Sequence, residues 1–312
     1  MQLVNPHPET RDGYYISAKM KKVWSIQLDL LQRLIDVCRE NNLRLWCDGG
    51  TMLGAVRHKG YIPWDDDVDV CMPRPDFDRL EEICGKYFLQ PYHYQTARTD
   101  VHYPRAHAQL RRCDTAAIRP SDCYRPFDQG IFIDIFPLDG YSDDPAEVHE
   151  SVAFAMKRMK CLRSVDYPLL WSGRFGLVFR KCKWHYKVIK EGFYELYKPV
   201  NDALRSCPWD DARRVAKLAS DGDRLAFDRH IFDTTLWMPF EQMEVPIPGG
   251  YDQFLRTQYD DNYMTPVRAA TAHGELILDP DHSYRELMPE VRRQYRRSAL
   301  KRLCAKIFHK KK

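Results

Sequence analysis

Four of the five residues from Asp65 to Asp69 are aspartates, in the run Trp64-Asp65-Asp66-Asp67-Val68-Asp69-Val70. Side chains alternate faces along an extended strand, so Asp67 and Asp69 point one way while Val68 and Val70 point into a core. Two carboxylates on one face repel each other unless a cation stands between them. A hard divalent ion, Mg²⁺ or Mn²⁺, is the natural occupant. An EF-hand calcium loop starting at Asp65 would need Gly at its sixth position and Glu at its twelfth, where this chain has Val70 and Asp76. A solvated acidic turn would have polar neighbours, whereas Ile62, Trp64, Val68 and Val70 surround these acids.

A second acid lies in Gly130–Phe136, Gly-Ile-Phe-Ile-Asp-Ile-Phe. As a strand it puts Ile131, Ile133 and Ile135 on one face and Phe132, Asp134 and Phe136 on the other. A carboxylate between aromatics on an apolar strand is costly to bury without a partner. Asp134 is therefore expected to be a third metal ligand or a general base beside Asp67 and Asp69, the plainer option being a salt bridge to an arginine. The third element is Gly49-Gly50-Thr51 at a strand-to-helix junction. Glycine lets backbone approach a ligand, and the free N–H groups of a helix start attract phosphate. Arg57, His58 and Lys59 add positive charge at the far end of that short helix, where a nucleotide phosphate could meet them.

The elements that must carry these residues are legible from periodicity. Ile16–Asn41 reads as an amphipathic helix with one polar break, Gln27, and Asn41-Asn42 as its stop. Leu43–Cys47 and Val68–Met72 read as short strands, Asp76–Phe88 as a second helix, and Tyr92–Thr96, Ala106–Arg111 and Ala116–Ile118 as weaker strands. Such alternation predicts an α/β or α+β core with a mixed sheet. After Asp143-Asp144-Pro145 the chain turns helix-prone, and a mixed texture is expected again from 236. The expected organisation is a catalytic core over 1–145, a helical insertion or second lobe over 146–235, a return to the core or acceptor side over 236–290, and a basic C-terminal helix over 291–312.

Composition fits this plan. The chain has 312 residues, 44% hydrophobic and 29% charged, which argues against disorder. No apolar run reaches the ~18 residues of a membrane span, the first residues lack the pattern of a signal peptide, and ten cysteines without a CxxC pair suit free thiols in a reducing compartment. The net charge is +4, but ten Lys/Arg and no acid fall between Val291 and Lys312. Subtracting them leaves −6 for residues 1–290, so no nucleic-acid partner is expected. Val291, Tyr295, Ala299, Leu303 and Ile307 recur every four residues among the basic ones. A basic amphipathic helix of this kind either lies on an anionic leaflet or docks on the acidic body.

Together the Gly-Gly turn, the Asp-apolar-Asp pair and the later Asp resemble the nucleotidyltransferase superfamily. Within it, DGGTMLGAVRHKGYIPWDDDVDV and GIFIDIFPLDG are similar to the signatures of the LicD family, which includes fukutin and fukutin-related proteins. The resemblance covers roughly Leu31–Tyr141 and returns faintly at YDDNYMTP (259–266), where Asp261-Asn262 depart from the family's run and no role is assigned. It implies a nucleotidyltransferase-like core. It also implies transfer of a phosphorylated alcohol, such as phosphocholine from CDP-choline or ribitol phosphate from CDP-ribitol, to a hydroxyl of a cell-surface glycan or its lipid-linked precursor. Asp65, Asp67, Asp69 and Asp134 would hold Mg²⁺ or Mn²⁺, with Asp67, Asp69 and Asp134 catalytic and Asp66 facing away. Gly49, Gly50, Thr51, Arg57 and Lys59 would hold donor phosphate. The expected location is cytoplasmic, with the basic tail able to tether the protein to the inner face of the membrane.

Two readings compete. Metal-dependent glycosyltransferases also use Asp-x-Asp, but normally after a nucleotide-binding half of about a hundred residues, and only 66 residues precede Asp67 here. A non-catalytic membrane scaffold would not need an intact set of three carboxylates and a Gly-Gly turn. Were choline the alcohol, an aromatic cage would be required, for which Tyr92, Tyr94, Tyr103 and Tyr124 are candidates.

Overall fold

One long strand organises the computed structural model, which describes residues 4–166, 175–268 and 276–309, with backbone alone at 175–177 and 302–309. A hairpin of β1 (Glu9–Arg11) and β2 (Tyr14–Ile16) leads into α1 (Ala18–Glu40). Ser17 starts that helix by accepting a hydrogen bond from Met20 N at 3.1 Å. There follow β3 (Trp46–Cys47), α2 (Gly49–His58), β4 (Asp69–Pro73), α3 (Arg74–Tyr87), β5 (Tyr92–Gln95), β6 (Ala108–Arg112), β7 (Ala116–Ile118) and β8 (Ile131–Tyr141). β8 is the shared strand of a mixed sheet: it runs parallel to β4 and antiparallel to β6, while β3 pairs antiparallel with β4. This is the α+β core expected.

The apolar stripe of α1, with Trp24, Leu28, Leu31, Leu34 and Ile35, packs with Ile133 and Ile135 of β8 and Val68 and Val70 of the acidic segment in the main core. The strand periodicity thus sorts correctly: isoleucines inward to the helix, Asp134 to the other face.

A helical lobe follows, made of α4 (Pro145–Arg163), α5 (Phe175–Glu191) and α6 (Phe193–Leu204). Asp144 caps α4 by accepting from Ala146 N at 2.8 Å, with Pro145 in its first turn. The lobe has its own core, including Val148, Val152, Met159, Leu162, Leu196 and Val200. The chain rejoins the sheet well before 236. β9 (Arg214–Ala216) pairs with the end of β8 and with β10 (Phe227–Asp228). Strands of two and three residues are too short to show alternation, and only long-range pairing reveals them. β11 (Thr235–Phe240) and β12 (Met243–Pro248) then form a hairpin, α7 (Tyr251–Tyr259) follows, and β13 (Ile277–Asp279) pairs with β7.

The last helix, α8 (Tyr284–His309), begins several residues before the basic tail. Tyr284, Met288 and Val291 are buried against Ala116, Ile118 and Cys123, and Tyr295 meets Tyr124 edge-on at 6.2 Å. Arg292 donates to Cys123 O at 2.7 Å and Arg296 to Tyr124 Oη at 2.7 Å. The first half of the stripe thus docks on the body. Leu303, Cys304, Ile307, Phe308 and the final lysines lie outside the described side chains. No described helix is long and apolar enough to cross a membrane.

Candidate active site

The acidic segment is held from behind by α1. Trp24 Nε1 donates to Asp65 O at 3.1 Å, and Gln27 Nε2 to Asp66 O at 2.8 Å. The polar break in the helix stripe is therefore a buried amide that ties down the acidic loop. Asp65 N closes a turn onto Ile62 O at 2.9 Å. With these carbonyls turned to α1, Asp65, Asp67 and Asp69 line a cleft of about 600 Å³, a volume typical of ligand sites. One oxygen each from Asp65, Asp66 and Asp67 can lie within 4.8 Å of one another. Asp66, expected to face away, brings an oxygen into this group but, unlike Asp65, Asp67 and Asp69, does not line the cleft. Asp69 is the residue paired with Asp134 in the parallel register of β4 and β8, so these two share a face of the sheet.

The electrostatics follow from this crowding. Burial, then Asp67, Asp134 and Asp48, push the Asp69 carboxyl well above the usual carboxylate range. Burial and Asp67 do the same to Asp65. Carboxyls forced toward neutrality by one another, and made wholly of hard oxygen donors, fit a divalent cation such as Mg²⁺ or Mn²⁺.

Asp134 is buried and oriented from β6 and the segment before it. Gln109 Nε2 donates to its Oδ1 at 2.7 Å, and His107 Nε2 lies 3.2 Å from the same oxygen. Burial holds His107 below the ordinary histidine value, and Arg105 adds to this against the pull of Asp134. Gln109 is fixed in turn by Arg111, whose guanidinium also donates to Gly130 O at 2.6 Å.

The Gly-Gly turn serves the acids directly. Gly49 has φ +51°, and a Cβ on Gly50 would lie 2.5 Å from Asp65 Oδ2, so a side chain there would displace that carboxylate. Thr51 Oγ1 accepts from Asp69 N at 2.9 Å, which makes it a support for Asp69. Of the residues expected to hold donor phosphate, Gly50 and Arg57 line the cleft, and Gly49, Thr51 and Lys59 do not. Lys59 ends α2 in the left-handed conformation, exposed, where the chain turns away. Arg57 reaches across to Tyr263 O at 2.7 Å.

Several residues of the site escape sequence reasoning. Asp48, the residue before Gly49, is buried and paired with buried Lys217 at 2.6 Å. Burial opposes the lysine's charge, but Asp48 and Asp221 more than reverse this and keep it above its ordinary value. Lys217 follows directly on β9, a strand no local pattern announces. Tyr259, Asp260, Asn262, Tyr263 and Thr265 form a further part of the cleft wall. The faint YDDNYMTP signal marked this wall, and its departure from the family's run hid it. None of the four candidate cage tyrosines lines the cleft. Tyr94 and Tyr103 are buried, Tyr92 bonds Asp29 at 2.8 Å, and Tyr124 packs against α8.

Residues 42–164 match the LicD/FKTN/FKRP nucleotidyltransferase domain. The chain is 25% identical over 256 residues to the lipopolysaccharide cholinephosphotransferase LicD of Haemophilus influenzae, covering 76% of this chain and 88% of that protein. It is 38% identical over 52 residues to the ribitol 5-phosphate transferase FKRP of Homo sapiens, covering 17% of this chain and 10% of that protein.

Proposed function

Because the chain carries a LicD-family nucleotidyltransferase domain, we propose that it transfers a phosphorylated alcohol, phosphocholine or a close relative, from a CDP-linked donor to a hydroxyl of a cell-surface glycan or its lipid-linked precursor. The observation that carries this reading is the crowd of mutually repelling carboxyls: Asp65, Asp67 and Asp69 line a cleft that also holds Gly50, Arg57 and Tyr259, and Asp134 stands beside Asp69 across the ladder. These carboxylates would hold Mg²⁺ or Mn²⁺, which when bound neutralises diphosphate charge and so favours departure of CMP.

The chain's own residues supply the rest. Arg57, anchored on Tyr263 O, offers its guanidinium to a donor phosphate at the cleft wall. Tyr259 keeps its phenol protonated, since burial and then Asp48 raise it, and so is a hydrogen-bond donor there. Asp134 accepts the proton of the attacking hydroxyl, with His107 and Gln109 fixing the orientation of its carboxylate. Asp69 is set in place by Thr51 and by its cross-strand neighbour.

The test is a donor panel. Purified protein with Mg²⁺, a lipopolysaccharide or teichoic-acid fraction and either CDP-choline, CDP-ribitol, UDP-glucose or GDP-mannose is followed by ³¹P NMR. Release of CMP from a CDP-alcohol, with the alcohol phosphate appearing on the glycan, is the expected result. Release of UDP or GDP alone would replace this reading with a glycosyltransferase.

A further inference from the structure

A second cavity, of about 300 Å³, is lined by His107, the neighbour of Asp134. It shares no lining residue with the acidic cleft, and its charge is opposite. Arg105, Arg119, Arg125 and Arg163 line it together with His107, and Asp122 is its one carboxylate. Three separate stretches of chain bring these groups together: the loop before β6, the turn after β7, and the last turn of α4.

Asp122 accepts from Arg125 Nε at 2.8 Å and lies 3.8 Å from Arg105. A single carboxylate cannot balance four guanidinium groups. Among the described residues, Arg119 and Arg163 have no ion-pair partner. Arg163 is held below its ordinary value first by burial and then by Arg105 and Arg125. Arg125 is buried, Arg105 and Arg119 are half-buried and Arg163 is exposed, and guanidinium groups gathered around one cavity repel one another unless an anion completes the set. Planar guanidinium forks converging from several directions match the oxygens of a phosphate. The link to the acidic residues is His107, which lines this cavity and whose Nε2 is 3.2 Å from Asp134 Oδ1.

We infer that this arginine-lined cavity is a phosphate-binding subsite, distinct from the acidic cleft and joined to Asp134 through His107. The cavity is argued independently of the proposed transfer. The source of the phosphate does rest on that reading, being either the donor diphosphate or a phosphate carried by the acceptor glycan.

Isothermal titration of the full-length protein in chelator tests this, with inorganic phosphate, glucose 6-phosphate, glucose and CMP as probes. The wild type is expected to bind phosphate and glucose 6-phosphate competitively and to ignore glucose. The double variant Arg119→Gln/Arg163→Gln is expected to weaken both by at least tenfold. Unchanged CMP affinity in that variant assigns the subsite to an acceptor phosphate, and a parallel loss of CMP binding assigns it to the donor. Phosphate binding that survives the double variant, or fails in the wild type, overturns the inference. Circular dichroism confirms folding, and Arg119→Gln alone, at a half-buried position, carries the test if the double variant does not fold. A protein that binds phosphate here but releases no CMP from any donor would refute the proposed transfer and leave the subsite standing.

Discussion

Two buried aspartates stand on β8, and they are treated in opposite ways. Asp139 is fully buried and closed by Arg74, whose guanidinium makes two hydrogen bonds to it at 2.6 and 2.9 Å. Asp134, five residues earlier, is nearly as buried but sits across the ladder from another acid, Asp69, with Gln109 and a neutral-leaning histidine at its oxygen. One end of the strand balances its charge within the protein, and the other accumulates charge of one sign. Five strand residues span about 17 Å, beyond the ~10 Å within which effects of substitutions usually couple. The two carboxylates can therefore be tested separately. A buried charge with its own bidentate partner reads as structure. A buried charge among its like reads as a place prepared for something else.

The largest expected effect is at the unbalanced end. Asp69→Asn should reduce transfer to background, measured as CMP release, while leaving the fold intact. It should also make the metal-free protein more stable at neutral pH. The folded-state carboxyls of Asp65 and Asp69 are raised. As pH climbs above the unfolded carboxylate value of about 4, the unfolded chain releases protons that the folded chain retains. Stability therefore falls with rising pH in chelator. Urea titrations at pH 5 and pH 8 should show this loss in the wild type and a smaller one in Asp69→Asn, and millimolar Mg²⁺ should restore the wild type at pH 8. A wild type equally stable at both pH values would break the contrast.

At the balanced end, Arg74→Ala should cost about 3–5 kcal/mol of stability, because it leaves Asp139 buried and unpaired. Differential scanning calorimetry reads this as a large fall in Tm. Asp134→Ala should differ in kind. We expect turnover to fall by about 10²–10⁴-fold with little change in the Michaelis constant for the donor, since the loss belongs to the transition state. A raised Michaelis constant with normal turnover would make Asp134 a binding residue and blur the distinction drawn along β8. The smallest effect is Thr51→Val, which removes the acceptor for Asp69 N. It should cost about 1 kcal/mol of stability, and its activity loss should be smaller than that of either aspartate variant.

Local pattern was enough for much of this. The stripe of α1, the alternation of β8 and the apolar setting of Asp65–Asp69 each follow from side-chain spacing, and these carry the sheet and its acidic edge. What spacing cannot show is which group crosses the fold to meet another. By spacing alone Gln27 is only a polar break in a helix stripe, and its purpose lies in the amide that donates to Asp66 O. His107 and Gln109 gain meaning only from the register of β6 with β8. Lys217 needed a strand of three residues that pairs far away in sequence. Thr51 and Lys59 went the other way. Their place near a helix marks both as candidate phosphate ligands, whereas Thr51 Oγ1 accepts from Asp69 N and Lys59 ends α2 in solvent.

The pairing of Asp48 with Lys217 sets a limit on how this protein can be divided. The lysine is 169 residues further along the chain, and the stretch that matches the family domain, 42–164, contains Asp48 without it. That stretch also lacks Trp24 and Gln27, which hold the acidic loop. A ribosome delivering the chain presents the whole acidic edge long before the cation that steadies its first member. Until residue 217 emerges, burying Asp48 as a charge has no partner to offset its cost. The most recognisable part of the sequence is thus an unfinished object, completed by residues that carry no signature of their own.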